Sequence, residues 1–407
     1  MEATGWPEAL RAAWAAGREA APAPVDTALP DADGLVLAEP LTARTDLPAF
    51  PTSSVDGWAV RGEGPWRRTG QVLAGGRAQP LTTDGDCVEI ATGAMVPAGT
   101  TAIVRIENSG IDADGRVRGQ PRDRPEWREP GEEAAAGELL MPAGAAVTPG
   151  LLGLAASAGW DTLPVRPAPR ASVHVFGDEL LTSGLPGAGR VRDALGPQVP
   201  GWLRRLGAVV DAPAAVPGVD TLDAHVGAVS AAVDKGTDVI CTTGGTMRGP
   251  VDHLHRALAG LGATYVVNTV AVRPGFPMLL ATVPAPGGRT ALLAGLPGNP
   301  QSAVVALMSL VAPLIDGWLG RPVPDLAALP RARLGAPVHG RGGDTHLSLV
   351  RREPTEGTVY PLPHAGSAML RGLAAAVGFA VIAPGTEGRT GDEVPLLPLP
   401  LLDRETP

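Results

Sequence analysis

The chain has 407 residues, of which 44% are hydrophobic and 18% are charged, and its formal net charge is −9. This length exceeds what one hydrophobic core usually supports and predicts about three domains of roughly 150 residues each. The composition is typical of a globular protein, and the acidic balance argues against non-specific nucleic-acid binding, which needs a basic surface. An anionic small ligand is compatible with this charge, because a local pocket can be basic on an acidic protein.

Cysteine usage and the first residues predict a cytoplasmic location. Cys87 and Cys241 lie far apart in apolar runs, which is typical of reduced core thiols and not of a disulfide or a metal pair. No charged segment leads into an apolar stretch at the beginning of the chain, so no signal peptide is predicted. The longest apolar runs, such as residues 302–314, are shorter than a bilayer-spanning helix requires, which predicts no membrane segment.

The first part of the chain predicts one helix and then short strands. Apolar side chains recur at helical spacing between residues 6 and 20, with Pro7 suited to the first turn. Residues 47–61, LPAFPTSSVDGWAVR, predict an extended segment and a tight turn before a strand. That turn holds Asp56 at a rigid position, although Asp56-Gly57 alone is equally typical of a plain hairpin turn.

A small β domain is predicted between residues 66 and 128, where short strands alternate with turns. Within it, Thr92-Gly93 is either a simple turn or a place where a hydroxyl and backbone N–H groups meet an anion. Residues 121–130 are charged and proline-rich and predict a solvated loop.

After a linker at residues 165–170, strands and helices alternate, which predicts a doubly wound α/β domain. The predicted strands are 172–176, 209–210, 239–241, 265–272, 278–282 and 291–294, and the predicted helices are 198–206, 221–233, 252–261 and 300–314. From about residue 322 short strands, prolines and glycines dominate, so a small β domain is predicted there.

The stretch 238–255, DVICTTGGTMRGPVDHLH, predicts a buried strand that ends in a glycine loop. Ligands of open α/β sheets bind at the carboxyl ends of the strands, and Gly244, Gly245 and Gly249 allow the backbone to approach a phosphate or a pterin ring closely. A Gly-Gly pair alone is more often an ordinary strand-to-helix turn. Three further stretches favour the ligand site.

The first of these stretches carries acids. Gly177-Asp178-Glu179 follows a predicted strand, and Asp252 follows the glycine loop on the neighbouring element. Carboxylates beside a phosphate-binding loop suit Mg²⁺, which prefers oxygen ligands. Solvated acids at loop ends are an equally good interpretation of either stretch alone.

The other two stretches predict anion contacts. Pro297-Gly298-Asn299-Pro300 follows a strand and opens a helix, with Asn299 at the N-cap and Pro300 in the first turn, so that free N–H groups face an anion. Arg273 precedes a Pro-Gly turn and places a cation at another strand end, although a surface arginine would look the same. The sequence therefore predicts one rim that binds an anion and a metal.

At these residues the chain resembles the molybdopterin molybdenumtransferase family, which includes MoeA and the gephyrin E domain. The resemblance rests on motifs that occur in the family's order and cover nearly the whole chain: LPAFPTSSVDGWAV, IATGAMVPAGTTAIVRIE, GDEL, GGTMRGPVD, VRPGFP, LPGNPQSA and GSAML at 366–370. LPGNP together with GG-x-x-x-G-x-x-D is specific, whereas each alone is not.

The resemblance implies a multidomain fold and a homodimer. It implies an extended N-terminal dimerisation domain at 1–52 and 136–168, an inserted β domain at 53–135, an α/β molybdopterin-binding domain at 169–320 and a barrel-like C-terminal β domain at 321–407. The implied active site joins the α/β domain of one subunit to the inserted domain of the other.

The resemblance also implies a reaction and its residues. Molybdate is inserted into adenylylated molybdopterin, AMP is released, and Mg²⁺ takes part. By position, Asp56, Thr92, Glu179 and Asp252 are the implied catalytic residues, with Glu179 and Asp252 at the metal. The implied binding residues are Gly244, Gly245, Gly249, Arg273, Pro297, Gly298, Asn299, Pro300, Ser367 and Asp220. A molybdopterin-adenylylating protein and acceptor molybdoenzymes are the implied partners.

The chain departs from the family's pattern mainly at hydroxyls and cations. Phe176 replaces a threonine, Met247 a serine, and Thr269 and Phe276 two lysines, while Ala194-Leu195 replaces Ser-Asn. Lost charge-assisted bonds are worth about 1.5–3 kcal/mol each. Two alternatives to the insertase follow: a non-catalytic molybdopterin-binding paralogue or scaffold, and a nucleotidyl-transfer activity on the pterin.

Overall fold

The computed structural model describes residues 3–77, 79–211, 217–246, 253–353 and 357–401. The chain forms two compact units. The large unit comprises Met1–Val25, Gly34–Ala38 and Arg166–Pro407, and the small unit comprises Asp26–Asp33 and Glu39–Val165.

Helices and strands alternate with many short turns in both units. The helices are α1 (Trp6–Ala20), α2 (Pro149–Ser157), α3 (Leu195–Leu206), α4 (Leu222–Asp234), α5 (Leu254–Gly260), α6 (Pro300–Ala306) and α7 (Ala312–Trp318). The strands as far as residue 166 are β1 (Thr4–Gly5), β2 (Val25–Ala28), β3 (Val36–Leu37), β4 (Leu41–Thr42), β5 (Thr52–Ser53), β6 (Gly57–Val60), β7 (Arg67–Val72), β8 (Asp86–Ile90), β9 (Ala102–Arg105), β10 (Ser109–Ile111), β11 (Val117–Gly119), β12 (Trp127–Arg128), β13 (Leu139–Met141) and β14 (Thr162–Arg166). The later strands are β15 (Arg170–Val175), β16 (Leu180–Leu181), β17 (Val191–Arg192), β18 (Val209–Val210), β19 (Val239–Thr243), β20 (Thr264–Val267), β21 (Val270–Arg273), β22 (Leu279–Pro284), β23 (Thr290–Leu296), β24 (Arg331–Leu334), β25 (Thr345–Arg352), β26 (Thr358–Pro361), β27 (Gly378–Ile382) and β28 (Glu393–Pro398).

The centre of the large unit is a six-stranded sheet in the order β18-β15-β19-β23-β22-β20. The first four strands are parallel, so their carboxyl ends meet at one edge. Every residue of β19 is buried, and its side chains alternate between the two faces: Val239 and Cys241 pack with Val199 of α3, and Ile240 packs with Leu258 of α5. Helices on both faces confirm the predicted doubly wound α/β domain.

A long apolar helix supports this sheet. α6 and α7 are joined by a π-helical turn, Leu307–Val311. α1 packs against this turn and against α7, and the Trp6 indole Nε1 donates to the Ser309 hydroxyl at 2.9 Å. Within the described residues, Pro300–Trp318 is one helix that is long and apolar enough to cross a bilayer by length and composition, and it is longer than the apolar run 302–314. Its most apolar window is 94% buried inside the protein, as is usual for a core helix.

The C-terminal strands close into a small barrel in the order β25-β26-β24-β28-β27, with β27 pairing back to β25. This confirms the barrel-like C-terminal domain. The prediction of one strand over 265–272 was wrong, because the chain changes sheets at residues 268–269. β20 pairs with β22 of the central sheet, whereas β21 pairs with β1 and β25.

The small unit contains a four-stranded sheet in the order β7-β8-β6-β9 and three two-stranded pairs. The loop predicted at 121–130 is partly structured: Trp127–Arg128 pairs with Thr52–Ser53. Glu126 is 4% exposed and accepts from Arg105 at 2.9 Å, and this bond is the main reason that the pKa of Glu126 is lowered. A buried ion pair explains why a charged segment is not solvated.

Candidate functional site

Three loops meet at the carboxyl edge of the six-stranded sheet. β15 leads into residues 177–179, β19 into Gly244 and Gly245, and β23 into residues 297–300 at the start of α6. The Gly244 N–H donates to the Leu296 carbonyl at 3.0 Å, which ties the second loop to the third. Gly244 and Gly245 have φ values of 84° and 65°, a region that glycine adopts without steric cost.

The acids at this edge come from two neighbouring segments. Residues 218–220 run beside the end of β15, where the Gly218 N–H donates to the Val175 carbonyl at 2.7 Å. The Asp220 N–H then donates to Oδ1 of Asp178 at 3.3 Å. Asp220, a predicted site residue, therefore lies beside the acidic loop. The Asp178 carboxylate accepts the hydrogen bond that fixes the Asp220 backbone.

Glu179 lies one residue beyond Asp178 in the same loop. A Cβ placed on Gly177 would lie 2.9 Å from the Glu179 Oε2, so this carboxylate curls back over a glycine with a φ of 152°. The backbone carbonyl of Glu179 accepts from the Val191 N–H at 2.9 Å, which anchors the loop to β17. Glycine at position 177 therefore leaves the carboxylate the space it occupies.

His225 is a buried residue of this edge that the sequence did not single out. It is fully buried in α4, and its ring stacks on Phe176 with centroids 3.8 Å apart and planes 17° apart. Its Nδ1 lies 2.9 Å from the Thr221 carbonyl, and its Nε2 lies 3.8 Å from Oδ1 of Asp220. Helical periodicity places a residue at position 225 on the inner face of α4, but it gives no sign that the residue reaches Asp220.

The start of α6 meets the C-terminal barrel domain through Ser367. The N–H groups of Gln301 and Ser302 both donate to the Ser367 carbonyl, at 3.0 and 3.3 Å. The prediction that these N–H groups are free for an anion was therefore wrong, because a backbone carbonyl satisfies them. Asn299 occupies the N-cap position, but its side chain makes no cap hydrogen bond.

The remaining members of that stretch differ in exposure. Pro297 is buried, Gly298 is exposed, and Pro300 begins the helix. A Cβ on Gly298 would meet no atom within 4 Å, so the protein's own packing does not require glycine at that position.

Arg273 ends β21 and faces an acid and an aromatic ring. Its Nε donates to Oδ2 of Asp344 at 2.8 Å, and its guanidinium carbon lies 4.6 Å from the centre of the Phe276 ring. Side-chain exposures of 43% for Arg273 and 27% for Asp344 leave this pair partly in solvent. An anion at this guanidinium would share it with Asp344.

In the small unit the structure brings Asp56 and Thr92 together. One carboxylate oxygen of Asp56 accepts both the Thr92 backbone N–H, at 2.7 Å, and the Thr92 hydroxyl, at 2.9 Å. These two bonds, the N–H first, lower the pKa of the Asp56 carboxyl. Asp56 therefore presents an ionised carboxylate at a rigid turn.

Two predicted site residues, Gly249 and Asp252, lie outside the described residues. Among the residues that are described, no group of three or more His, Cys, Asp or Glu side chains has the spacing of a metal site. Mg²⁺ commonly binds proteins through only one or two carboxylates and completes its shell with substrate oxygens and water. The oxygen-only character of Asp178 and Glu179 fits that pattern.

The fold defines a class: multidomain α/β proteins with a doubly wound sheet, here with a candidate site at its carboxyl edge, and a small C-terminal barrel. Family models match in the same order along the chain. They are described as MoeA N-terminal region (domain I and II) over residues 6–159, probable molybdopterin binding domain over 172–317, and MoeA C-terminal region (domain IV) over 331–399.

Individual relatives agree with these matches. A protein named molybdopterin molybdenumtransferase 2 from Mycobacterium tuberculosis is 32% identical over 376 residues, covering 87% of this chain and 90% of the relative. A molybdopterin molybdenumtransferase from Staphylococcus aureus is 29% identical over 302 residues, covering 70% of this chain and 69% of the relative. The chain belongs to the molybdopterin molybdenumtransferase (MoeA) family.

Solved structures agree on the fold. The crystal structure of a molybdopterin biosynthesis MoeA protein from Pyrococcus horikoshii aligns with a TM-score of 0.77 at 22% identity and covers 98% of this chain and 99% of that one. A second MoeA structure from the same organism aligns with a TM-score of 0.74 at 19% identity. At these identities the likeness concerns the fold alone.

Proposed function

We propose that this protein is a molybdopterin molybdenumtransferase that inserts molybdate into adenylylated molybdopterin and releases AMP. The observation that carries the proposal is that Asp178, Asp220 and the Gly244-Gly245 loop lie at the same edge of the sheet, in a chain of this family. Gly244 and Gly245 allow the backbone to approach a phosphate or a pterin ring closely, and the acids suit a group that carries positive charge. Molybdate is a substrate in this reaction.

Arg273 is the proposed contact for an oxyanion at the end of β21. Arginine holds an oxyanion with a planar fork of N–H donors, where lysine offers a point charge. The bond from Nε to Asp344 leaves the terminal guanidinium nitrogens as the donors to the anion. This arrangement supports oxyanion binding despite Thr269 and Phe276 at two lysine positions.

Mg²⁺ is the proposed metal, with Glu179 and Asp252 as its protein ligands. When bound, it would supply charge stabilisation to the phosphate oxygens of the substrate. Asp178 holds the Asp220 backbone and thereby fixes the loop that carries Glu179. The protein's own part is to orient these oxygens before the substrate arrives.

We also propose that the protein works as a homodimer in the cytoplasm, as the resemblance implies. In that arrangement Asp56 and Thr92 of one subunit would act with the α/β domain of its partner. A molybdopterin-adenylylating protein would supply the substrate, and acceptor molybdoenzymes would take the product. The net charge of −9 gives no support to a nucleic-acid partner.

The test is AMP release by the purified protein with adenylylated molybdopterin, molybdate and Mg²⁺. We expect release that depends on molybdate and that falls strongly in Glu179→Gln. Asp223→Asn is the matched control, because Asp223 is an exposed acid in the first turn of α4. Its loss should cost only the helix-dipole contribution to stability, about 0.3–1 kcal/mol.

The outcomes separate the candidate functions. Retained binding of the pterin without AMP release would contradict the insertase and leave the non-catalytic paralogue. AMP release that ignores molybdate would instead point to a nucleotidyl-transfer or hydrolytic activity on the pterin. The names of the relatives favour the insertase and give the non-catalytic alternative no support.

A further inference from the structure

His225 is a buried titratable side chain for which the proposed reaction has no stated use. It is fully buried, and among the described residues its Nε2 has no hydrogen-bond partner. Oδ1 of Asp220, 3.8 Å away, is also buried without a partner. Two unpartnered polar atoms facing each other in a buried place are costly unless a proton lies between them.

The other ring nitrogen decides where the first proton is. Nδ1 lies 2.9 Å from the Thr221 carbonyl, and a carbonyl oxygen can only accept, so Nδ1 carries a hydrogen. In a neutral ring Nε2 would then present a lone pair to the Asp220 carboxylate, which is repulsive. A proton on either of the two atoms removes this repulsion across the 3.8 Å that separates them.

The surroundings of the ring connect three segments of the site. One face stacks on Phe176, which directly precedes the acidic loop. A Cβ on Gly245 would lie 3.4 Å from Nε2, so the glycine loop packs against the same edge of the ring. His253, the nearest other titratable ring, has its centroid 6.0 Å away.

We propose that His225 is a positioning residue: its Nε2 faces the Asp220 carboxylate and holds it in place, and its stack on Phe176 fixes the start of the acidic loop. This rests on the proposed function in so far as Asp220 serves the substrate. Asp178 holds the backbone of Asp220, and His225 holds its side chain. Both constraints together leave Asp220 one orientation at the sheet edge.

Kinetics with two variants test the positioning. His225→Phe keeps an aromatic ring for the stack and removes the donor, whereas His225→Gln keeps a donor and removes the ring. Loss of the residue that supports the Asp220 carboxylate should lower kcat/KM for AMP release by about tenfold or more in His225→Phe. The loss should be smaller in His225→Gln. His339→Phe is the control, since His339 is 93% exposed in its side chain.

The ranking of the two variants is a readout that a merely structural role would not produce. A role in packing alone would favour His225→Phe, which keeps the ring, over His225→Gln. Wild-type kinetics in a folded His225→Phe protein would overturn the proposal.

Nitrogen-15 NMR of labelled histidines tests the contact without any turnover. We expect a proton on Nδ1 of His225 and an Nε2 resonance that shifts in Asp220→Asn. An Nε2 resonance that Asp220→Asn leaves unchanged would overturn the proposal even if AMP is released. If the wild-type protein releases no AMP, the proposed function fails while the NMR result still decides the contact.

Discussion

The resemblance to the family implies a threonine at position 176, and the surroundings of Phe176 show how the chain accommodates the larger ring. The ring is 7% exposed and stacks on His225. A Cβ on Gly218 would lie 2.9 Å from the Phe176 ring, so glycine at position 218 leaves the space that the ring needs. Phe176 therefore offers no hydroxyl at this position, and its ring is packed between His225 and Gly218.

Asp56 and Thr92 give the first prediction at this scale. Thr92→Val removes the hydroxyl donor and keeps the backbone N–H, so the pKa of Asp56 should rise toward its ordinary value but stay below it. Carbon-13 NMR titration of the Asp56 carboxyl measures this directly. In the wild-type protein Asp56 should stay ionised above about pH 4, and the pH profile of AMP release should show no ionisation of Asp56 there.

The control for this prediction is Thr83→Val, because Thr83 is an exposed threonine of the same unit, away from Asp56 in the chain. An unchanged titration of Asp56 in Thr92→Val would mean that the hydroxyl contributes nothing and that the N–H alone sets the pKa. The Thr92 N–H is the larger of the two causes and remains in the variant, so the pKa of Asp56 should rise only part of the way to its ordinary value.

At the scale of elements, α1 and α7 touch through their backbones. A Cβ on Gly317 would overlap the Trp14 carbonyl, and a Cβ on Gly17 would overlap the Leu314 carbonyl. Neither carbonyl lies on a flexible side chain, so the helices would have to separate to admit a methyl group. Such close contact also explains why these two helices pack with glycine in spite of its poor helix propensity.

This contact predicts opposite effects for one substitution in two helices. Gly317→Ala should destabilise the large unit by about 1–3 kcal/mol through overpacking. Gly227→Ala in α4 meets no atom within 4 Å and should stabilise by up to about 1 kcal/mol, because alanine is the better helix former. Thermal unfolding of both variants beside the wild type measures the difference. A stabilised Gly317→Ala protein would show that the helices do not approach this closely.

Elements with strong local signals were predictable from the sequence. Helical periodicity gave α1 with both ends, and the α/β alternation gave the central sheet. The break after β20 was not predictable, because the apolar pattern of 264–273 continues while the pairing partner changes. Local periodicity carries no information about which sheet a strand joins.

The parts of the site that have a local sequence pattern, such as glycines or acids directly after a strand, were predictable. The Gly244-Gly245 turn and the acidic loop after β15 lie where strand-end reasoning placed them. The pairing of His225 with Asp220 and the Ser367 carbonyl at the start of α6 were missed, because each joins segments far apart in the chain. Such contacts follow from tertiary structure and leave no short-range pattern.

At the scale of the whole molecule, the two units differ in their titratable groups. All seven histidines follow residue 166 and so belong to the large unit. Burial is the main cause that lowers the pKa of both His174 and His346. In the small unit the lowered values belong to acids, among them Asp112 and Glu126, which accept hydrogen bonds.

The sign of each contribution follows from linkage. A histidine whose pKa is lowered by folding binds its proton more readily in the unfolded chain, so its contribution to stability is lost as the pH falls below about 6.5. An acid with a lowered pKa keeps its contribution until the pH falls below about 4. His174 and His346 should therefore make the large unit lose stability at a pH where the small unit keeps it.

The prediction is that acidification from about pH 7.5 to about pH 5.5 opens the large unit first, each of the two histidines costing at most about 1.4 kcal/mol per pH unit. Hydrogen exchange followed by mass spectrometry locates the change, and the peptides of residues 39–165 should stay protected. His174→Gln together with His346→Gln should flatten the pH dependence, because neither position then takes up a proton on unfolding. His364→Gln is the control, because His364 is exposed, and it should leave the pH dependence unchanged. If the small unit lost protection at a higher pH than the large unit, the two histidines could not be the cause. The small unit has no histidine that could take up a proton near neutral pH.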